Sequence, residues 1–591
     1  MTDFFVQPIL NSPYECPTRH WEIPKESPPT NLIISERRRS DLITPVPKSK
    51  KQRQNKNELK LQLDATDGLS TTEQEYNPTP IINEMRSYIE TWRNLPNPDQ
   101  WQVTPATARL LQHWRHHEFN GIRPFFCQIE AVETAIWLAE VAPKSGARGQ
   151  KFVEHLRGAN AMSNPELMRT ALKLATGAGK TTVMAMLIAW QTVNSVRSPS
   201  SKLFSRGFLI VAPGITIKDR LNVLLPNDLE SYYRQREIVP PDMLRDLDQA
   251  KIIITNYHAF KLRERLEIAK GTRGALEGWR GEKIQTLETE GQMIQRVMPE
   301  LMAMKHIVVL NDEAHHCYRE KPKPDDDIDD LTGDAKVEAK ENNEAARLWI
   351  SGLETVKRNI GLSMVYDLSA TPFFLQGSGY VEGTLFPWTM SDFSLIDAIE
   401  CGIVKLPRIP VADNVSGEDM PKFRNLWEHI GKKMPKKGKG ASSKLDPLGL
   451  PMELTSALDA LYGHYRKTFD IWQSEGIDVP PVFIVVCNNT STSDLVFKYI
   501  SGFERTNHDG STVIENGRLA LFRNYDDYNN RIARPNTILI DSAQLESGEA
   551  LDKDFRALAA DEIAQFKREL IERSGNPQHA ENIDETTYFV R

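Results

Sequence analysis

The sequence predicts an α/β protein built on a parallel sheet with crossover helices. From Ala171 onward short apolar runs alternate with helical patterns, which is the signature of strand–helix–strand units. The runs are apolar without interruption, so both faces of the sheet should be covered. One of them leads straight into the turn Leu174 to Thr181 (LATGAGKT), a glycine-containing link from strand to helix that ends in Gly-Lys-Thr.

The elements follow in chain order. Met1 to about Asn77 is rich in Pro, Ser and charge, with basic clusters at Arg37, Arg38 and Arg39 and again from Lys48 to Lys56. It reads as an extended arm with a solvated basic surface. Apolar residues then recur at helical spacing, as Tyr88, Ile89 and Trp92 and as Leu110, Leu111 and Trp114, and a further helix covers AVETAIWLAEV. Buried strands are expected at Phe208 to Ala212, Lys251 to Thr255, Ile307 to Leu310 and Val365 to Leu368. The stretch Lys432 to Lys444 is Lys, Gly and Ser, which cannot bury a core and marks a linker. A second α/β segment follows, with strands expected at Val482 to Cys487, Leu519 to Phe522 and Thr537 to Asp541 and helices near Ser493 to Ile500 and Asp554 to Arg573. The division is therefore an arm (1–80), a first domain with a helical extension (81–410), a linker (411–470) and part of a second domain (471–591).

Composition narrows the function. The chain has 591 residues, 40% hydrophobic and 26% charged, with a net charge of −7. A polyanion can be met only through a local basic groove. Five cysteines lie far apart without a C-x-x-C pair, which argues against a zinc site or a disulfide framework and favours a reducing cytoplasm. No basic leader and no run of eighteen apolar residues occurs, so membrane spanning is not expected.

The chemistry begins at the glycine turn. Gly177 and Gly179 let the backbone N–H groups of Thr176 to Thr182, Ala178 included, converge on phosphate oxygens. Lys180 reaches the β and γ phosphates, and Thr181 offers a hydroxyl to Mg²⁺. Leu174 stands where the full phosphate-loop pattern has its first glycine. Directly after the strand Ile307 to Leu310 comes Asp312-Glu313-Ala314-His315. An aspartate there can hold Mg²⁺, while the adjacent glutamate orients or deprotonates the attacking water. Ser369-Ala370-Thr371-Pro372 closes a third strand.

The order LATGAGKT, DEAH, SATP resembles the superfamily 2 helicases and translocases. The resemblance implies that His315, Ser369 and Thr371 couple γ-phosphate status to movement of bound nucleic acid. It also implies that Gln128, in RPFFCQ, reads adenine. Pro213, Gly214 and Thr216, with Thr255, Asn256 and Tyr257, fall where the family contacts the nucleic-acid backbone, and Tyr257 could stack on a base. The opening around Asn11 to Trp21, NDEAHHCYRE, YDLSATPFFLQGSGY and DSAQLESGEAL narrow the resemblance to the restriction (Res) subunit of type III restriction enzymes. That implies a P-loop RecA-like parallel-sheet domain followed by an incomplete second RecA-like domain, ATP and Mg²⁺ as ligands, double-stranded DNA as track, and a methyltransferase (Mod-like) partner subunit.

Two departures qualify the expectation. The family's Q-x-x-G-R-x-x-R arginine finger and the preceding T-x-G-x-(D/N) element are missing, so hydrolysis should be slow and the chain reads as the N-terminal part of a longer enzyme without its nuclease domain. The rivals are an RNA helicase and a truncated protein that binds ATP and DNA without turnover. Pro324-Asp325 followed by Asp334-Ala335-Lys336 and Glu338-Ala339-Lys340 mimics a metal-dependent nuclease pattern, but reads as an acidic loop leading into a helix.

Overall fold

The computed structural model describes residues 3–24, 29–41, 78–214, 220–265, 286–321, 334–375, 377–407, 426–434, 446–477, 479–488, 490–506, 512–532 and 535–539. The chain divides into two compact units, Met1–Leu406 and Pro407–Arg591.

The first unit is organised by six strands, β1 (Arg169–Leu174), β2 (Gly207–Ala212), β3 (Lys251–Asn256), β4 (Ile307–Asp312), β5 (Leu362–Ser369) and β6 (Thr389–Phe393). They form one sheet in the order β6-β1-β5-β4-β2-β3, and every pairing is parallel. Side chains alternate between faces as the pleat requires. Phe208, Ile210, Val308, Leu310, Tyr366 and Leu368 join one core, while Leu209, Val211, Ile307, Val309 and Val365 join another on the opposite face. All four strands expected by range are present within one to three residues at each end. The edge strand β6 has no counterpart in the sequence reading, because Thr389–Phe393 (TMSDF) lacks an apolar or β-branched run.

Helix α1 (Thr79–Arg93) buries Ile82, Met85, Ile89 and Trp92, and α2 (Pro105–His116) buries Leu110, Leu111 and Trp114. Helix α3 (Phe126–Ile136) is buried on all sides, and α4 (Gly146–Ser163) packs nearby. The crossover from β1 to β2 is α5 (Lys180–Arg197), which is buried along most of its length. Helix α6 (Asp334–Asn359) sends Trp349, Ile350, Leu353 and Val356 into the second core. Lys336 and Lys340 therefore lie on a helix and not on a strand, and Pro324 and Asp325 fall outside the described residues.

The arm is a correction to the expectation of solvated basic surface. Its described part buries Phe4 and Trp21 and forms a short antiparallel ladder, His20–Trp21 against Ile33–Ile34. Arg37 grips Glu130 of α3 with two hydrogen bonds of 2.7 and 2.6 Å, and Arg38 donates to Glu400 at 2.6 Å. Burial pushes the Glu130 carboxyl up, but Arg37, Arg93 and Arg86 outweigh it and hold it down to about 2. A helix buried all round can carry Glu130 and Glu133 only because arginines meet both. The cluster from Lys48 to Lys56 lies outside the described residues.

In the centre of the sheet Arg169 and Asp367 are fully buried, and Nε of Arg169 donates to Asp367 at 2.8 Å. Arg169 also donates to the carbonyl of Cys317 at 2.8 Å and to Asn164 at 3.0 Å. Asp367 accepts from Asn311 and from the Trp388 indole, both at 2.8 Å.

In the second unit, helix α7 (Met452–Ser474) begins within the stretch expected to be linker, and α8 (Thr490–Ser501) matches the helix expected near Ser493. The strands read from the sequence do not form there. Val482 to Cys487 carries no ladder among the described residues, with Phe483 packed on Phe522 and Val482, Ile484 and Val486 open to solvent. Leu519 to Phe522 is a single 3₁₀ turn, and the described Thr537 to Leu539 is not a strand. Apolar β-branched runs favour extended backbone, but a strand also needs a neighbour's N–H and C=O groups. The ladder present is instead a hairpin, β7 (Gly502–Thr506) against β8 (Thr512–Asn516). The helix expected at Asp554 to Arg573 and the LESGEALD stretch lie outside the described residues.

Breaking the central ion pair should be far more costly than breaking a surface one. We expect Asp367→Ala to destabilise the first unit by about 3–5 kcal/mol, and Asp242→Ala, whose Arg109 partner is exposed, by under about 1 kcal/mol. Urea unfolding followed by tryptophan fluorescence checks this, and equal losses would show that the buried pair has no special weight.

Candidate functional site

Because all six strands run in one direction, their C-terminal ends meet along one edge of the sheet, where an open parallel sheet presents its ligands. The glycine turn follows β1, Pro213 and Gly214 follow β2, Asn256 ends β3, Asp312 ends β4 and Ser369 ends β5. The three motifs, separated in sequence, are thereby neighbours. Lys173 pairs in register with Ser369, and Asp312 with Leu368.

The turn has the backbone its sequence demands. Gly177 and Gly179 sit at φ +85° and +83°, and Gly179 is the residue from which α5 starts. A Cβ on Gly179 would also lie 2.2 Å from Nε2 of Gln128, so both conformation and space exclude a side chain. Thr176 and Gly177 are exposed and Ala178 is buried. The N–H groups of Lys180 and Thr181 open α5 at this turn with the positive end of the helix, whereas that of Thr182 already donates to the Gly179 carbonyl at 2.9 Å.

Lys180 extends to Glu313, with Nζ 2.8 Å from Oε1. Glu313 itself is held in the left-handed region at φ +48°, an unusual conformation for glutamate that turns its carboxylate back toward the glycine turn. Asp312 is buried beside it. Burial, reinforced by the Glu313 charge and only partly offset by Lys180, pushes the Asp312 carboxyl up to about 6. A carboxylate kept in that condition is stabilised by a divalent cation, so the residues present fit the Mg²⁺ role.

A chain of contacts leads on from there. His315 Nδ1 lies 3.5 Å from Glu313 and 3.0 Å from Ser369 Oγ, and that Oγ accepts the Thr371 N–H at 3.1 Å. Burial, then His316, pull the His315 pKa down to about 4, so the ring is neutral near pH 7. Lys180, Glu313, His315, Ser369 and Thr371 thus form one continuous path.

Other expected residues have different surroundings. Gln128 is buried: Oε1 accepts the Phe125 N–H at 3.0 Å and Nε2 donates to the Ala178 carbonyl at 2.8 Å, which ties α3 to the glycine turn. Asn256 Oδ1 caps the turn after β3 by accepting the Ala259 N–H at 3.1 Å. The Tyr257 ring, expected to be open to a base, stacks on Trp349 with centroids 5.4 Å apart and planes 6° apart. Thr255 is buried, Pro213 and Gly214 are half-buried, and Thr216 lies outside the described residues.

The sequence reading passed over Arg169, Asn311 and Asp367, which lie directly beneath the site. A signal was available: an aspartate inside the apolar strand VYDL must have a buried partner. Asn311 gives its Nδ2 to Asp367 at 2.8 Å and takes the Trp349 indole N–H at 3.1 Å, while Arg169 holds the Cys317 carbonyl just beyond the DEAH turn. Arg236 was also passed over, and donates to Thr182 Oγ1 at 3.0 Å.

Residues 122–374 match the family model of the type III restriction enzyme, res subunit. That span takes in Gln128, the glycine turn, DEAH and SATP, so this part of the chain is similar to the helicase-like part of that family. No curated protein and no solved structure matches the chain. No helix among the described residues is long and apolar enough to cross a membrane.

The raised Asp312 carboxyl has a pH signature. A proton held up to about pH 6 competes with a bound cation, so Mg²⁺-dependent nucleotide binding should weaken by about tenfold for each pH unit below about 6. The sign for the ligand-free protein is opposite: an acid whose folded pKa is raised stabilises below its unfolded value of 3.8 and loses that contribution as pH rises through about 6. Calorimetric titration from pH 5 to 8 reads the first effect, and Asp312→Asn should flatten it. An unchanged slope in that variant would exonerate Asp312.

Proposed function

We propose that the chain is the ATP-driven motor module of a type III restriction system, hydrolysing ATP to translocate on double-stranded DNA. The observation that carries this reading is the 2.8 Å contact of Lys180 with Glu313 beside the buried Asp312, which joins two motifs far apart in sequence into one cleft. Bound ATP·Mg²⁺ would bring the phosphoanhydride and the cation that screens it. Thr181 and Asp312 would hold the metal, and N–H groups of the turn would cradle the phosphates, those of Gly177, Gly179, Lys180 and Thr181 before those of Ala178 and Thr182, which already donate to the Ala175 and Gly179 carbonyls.

In this structure Lys180 is engaged by Glu313. A phosphate chain in the turn competes for the ammonium group, and Glu313 is then released to orient a water and accept its proton. Neutral His315 sits between Glu313 and Ser369 and would pass the change on to Thr371 and the segment beyond it. That is the coupling a motor needs.

One face of the Tyr257 ring is taken by Trp349, and DNA contacts at this sheet end would fall mainly to backbone groups around Pro213, Gly214 and Thr216 and to Thr255 and Asn256. Such contacts read no sequence, in keeping with a Mod-like methyltransferase partner that would choose the site. The work is that of a cytoplasmic complex. Gln128 would meet adenine from the Ala178 side, with one amide proton still available after its bond to the turn.

Glu313→Gln should keep nucleotide binding and lose turnover by at least 10²-fold, whereas Lys180→Ala should lose both. Equal nucleotide affinity of wild type and Lys180→Ala in a calorimetric titration would remove the phosphate-turn assignment. Hydrolysis should be slow for want of the arginine finger, and such stimulation as occurs should come from double-stranded DNA and not from RNA; the reverse pattern would make the chain an RNA helicase.

A further inference from the structure

Arginine in the first unit is almost always answered by a carboxylate where it is buried or half-buried. Arg37, Arg38, Arg93, Arg115, Arg169 and Arg296 all hold one. Arg86 donates instead to the main-chain carbonyls of Arg38 and Asp392, and Arg236, also half-buried, has neither a carboxylate nor a carbonyl. Its Nη1 donates to Thr182 Oγ1 at 3.0 Å, its Nη2 donates to the Tyr232 hydroxyl at 2.9 Å, and its guanidinium lies 3.7 Å from the centre of the Tyr232 ring. Among the described residues no carboxylate reaches ion-pair distance of it. All its partners are neutral, so its positive field is left without an anion.

The place of this charge is specific. Thr182 is the third residue of α5, and its Oγ1 would lie 3.6 Å from a Cβ built on Gly179. Arg236 is therefore at the glycine turn itself. The segment that carries it is tied to the loop before Gln128: Glu237 Oε1 accepts from the N–H and Nδ2 of Asn120 at 3.1 and 3.2 Å. Lys180, two residues before Thr182, is directed to Glu313 instead. Two cations thus flank the turn, one on the side of the acidic pair and one on the side of the Gln128 loop.

Resting on the phosphate-turn reading, we propose that Arg236 is a second cation of the nucleotide site and binds the sugar-proximal, α-phosphate end of a nucleoside di- or triphosphate, exchanging its bond to Thr182 for one to phosphate. With Lys180 on the β and γ phosphates, the α-phosphate lies nearest the early turns of α5 and the loop toward the base. The guanidinium is delivered from a rigid seat, because stacking on Tyr232 fixes its plane.

ADP and ATP binding to the full chain should be measured by titration calorimetry for wild type, Arg236→Met and Arg236→Lys. Arg236→Met preserves the packing on Tyr232 and removes the charge. It should weaken ADP and ATP by the same factor, on the order of tenfold to a hundredfold, since both ligands share the α-phosphate. Arg236→Lys should recover part of the loss. Melting temperatures of the ligand-free variants within about 2 °C of wild type would separate this from unfolding. Unchanged ADP affinity in Arg236→Met would overturn the inference alone, and so would a loss confined to double-stranded DNA binding. A wild-type chain that binds no nucleotide would overturn the phosphate-turn reading and this inference with it.

Discussion

The buried pair of Arg169 and Asp367 is the constraint on which the rest of the site depends. Neither group could leave water alone, and each nitrogen and oxygen of the pair has a partner, supplied beyond the pair itself by Asn164, the Cys317 carbonyl, Asn311 and Trp388. The pair joins β1 to β5 through side chains where the ladder already joins them through backbone. Its reach matters more than its energy. Through Asn311 it fixes β4 and Trp349, through Trp349 it fixes the Tyr257 turn, and through the Cys317 carbonyl it fixes the exit from DEAH. The ends of four strands are in this way held in one geometry by a single charged pair in low dielectric.

Above that pair the chemistry lies on short segments, one of them strained. Glu313 at φ +48° holds a conformation that side chains rarely adopt, and Gly179 at φ +83° is in a region open to glycine; the Lys180 contact joins the two segments. Strain of this kind persists only on a rigid base. The sheet supplies one side of that base and α3 the other, since Gln128 ties the glycine turn to a helix whose Glu130 and Glu133 are clamped by Arg37, Arg93 and Arg115. The N-terminal arm is accordingly part of the support of the site. Two of its arginines, Arg37 and Arg38, are held on carboxylates inside the fold.

The sequence by itself determined what depends on local pattern. Four apolar runs are strands because continuous β-branched and aliphatic residues suit a sheet buried on both faces. The Gly-Lys-Thr turn is a turn because Gly177 and Gly179 stand at positive φ. Asp312, Glu313 and Ser369 are at strand ends because the apolar run stops just before each of them. Only the tertiary structure decided what depends on partners. Thr389–Phe393 is a strand because β1 offers an edge, and Val482 to Cys487 carries no ladder because no neighbour is offered among the described residues. Arg37 and Arg38 read as solvated charge until Glu130 and Glu400, far along the chain, are seen to meet them. Gln128 as a tether, the Tyr257 ring stacked on Trp349 and the lone charge of Arg236 have the same origin. Periodicity and turn chemistry are properties of a few consecutive residues, whereas a buried charge or an open ring face is defined by what the rest of the chain brings to it.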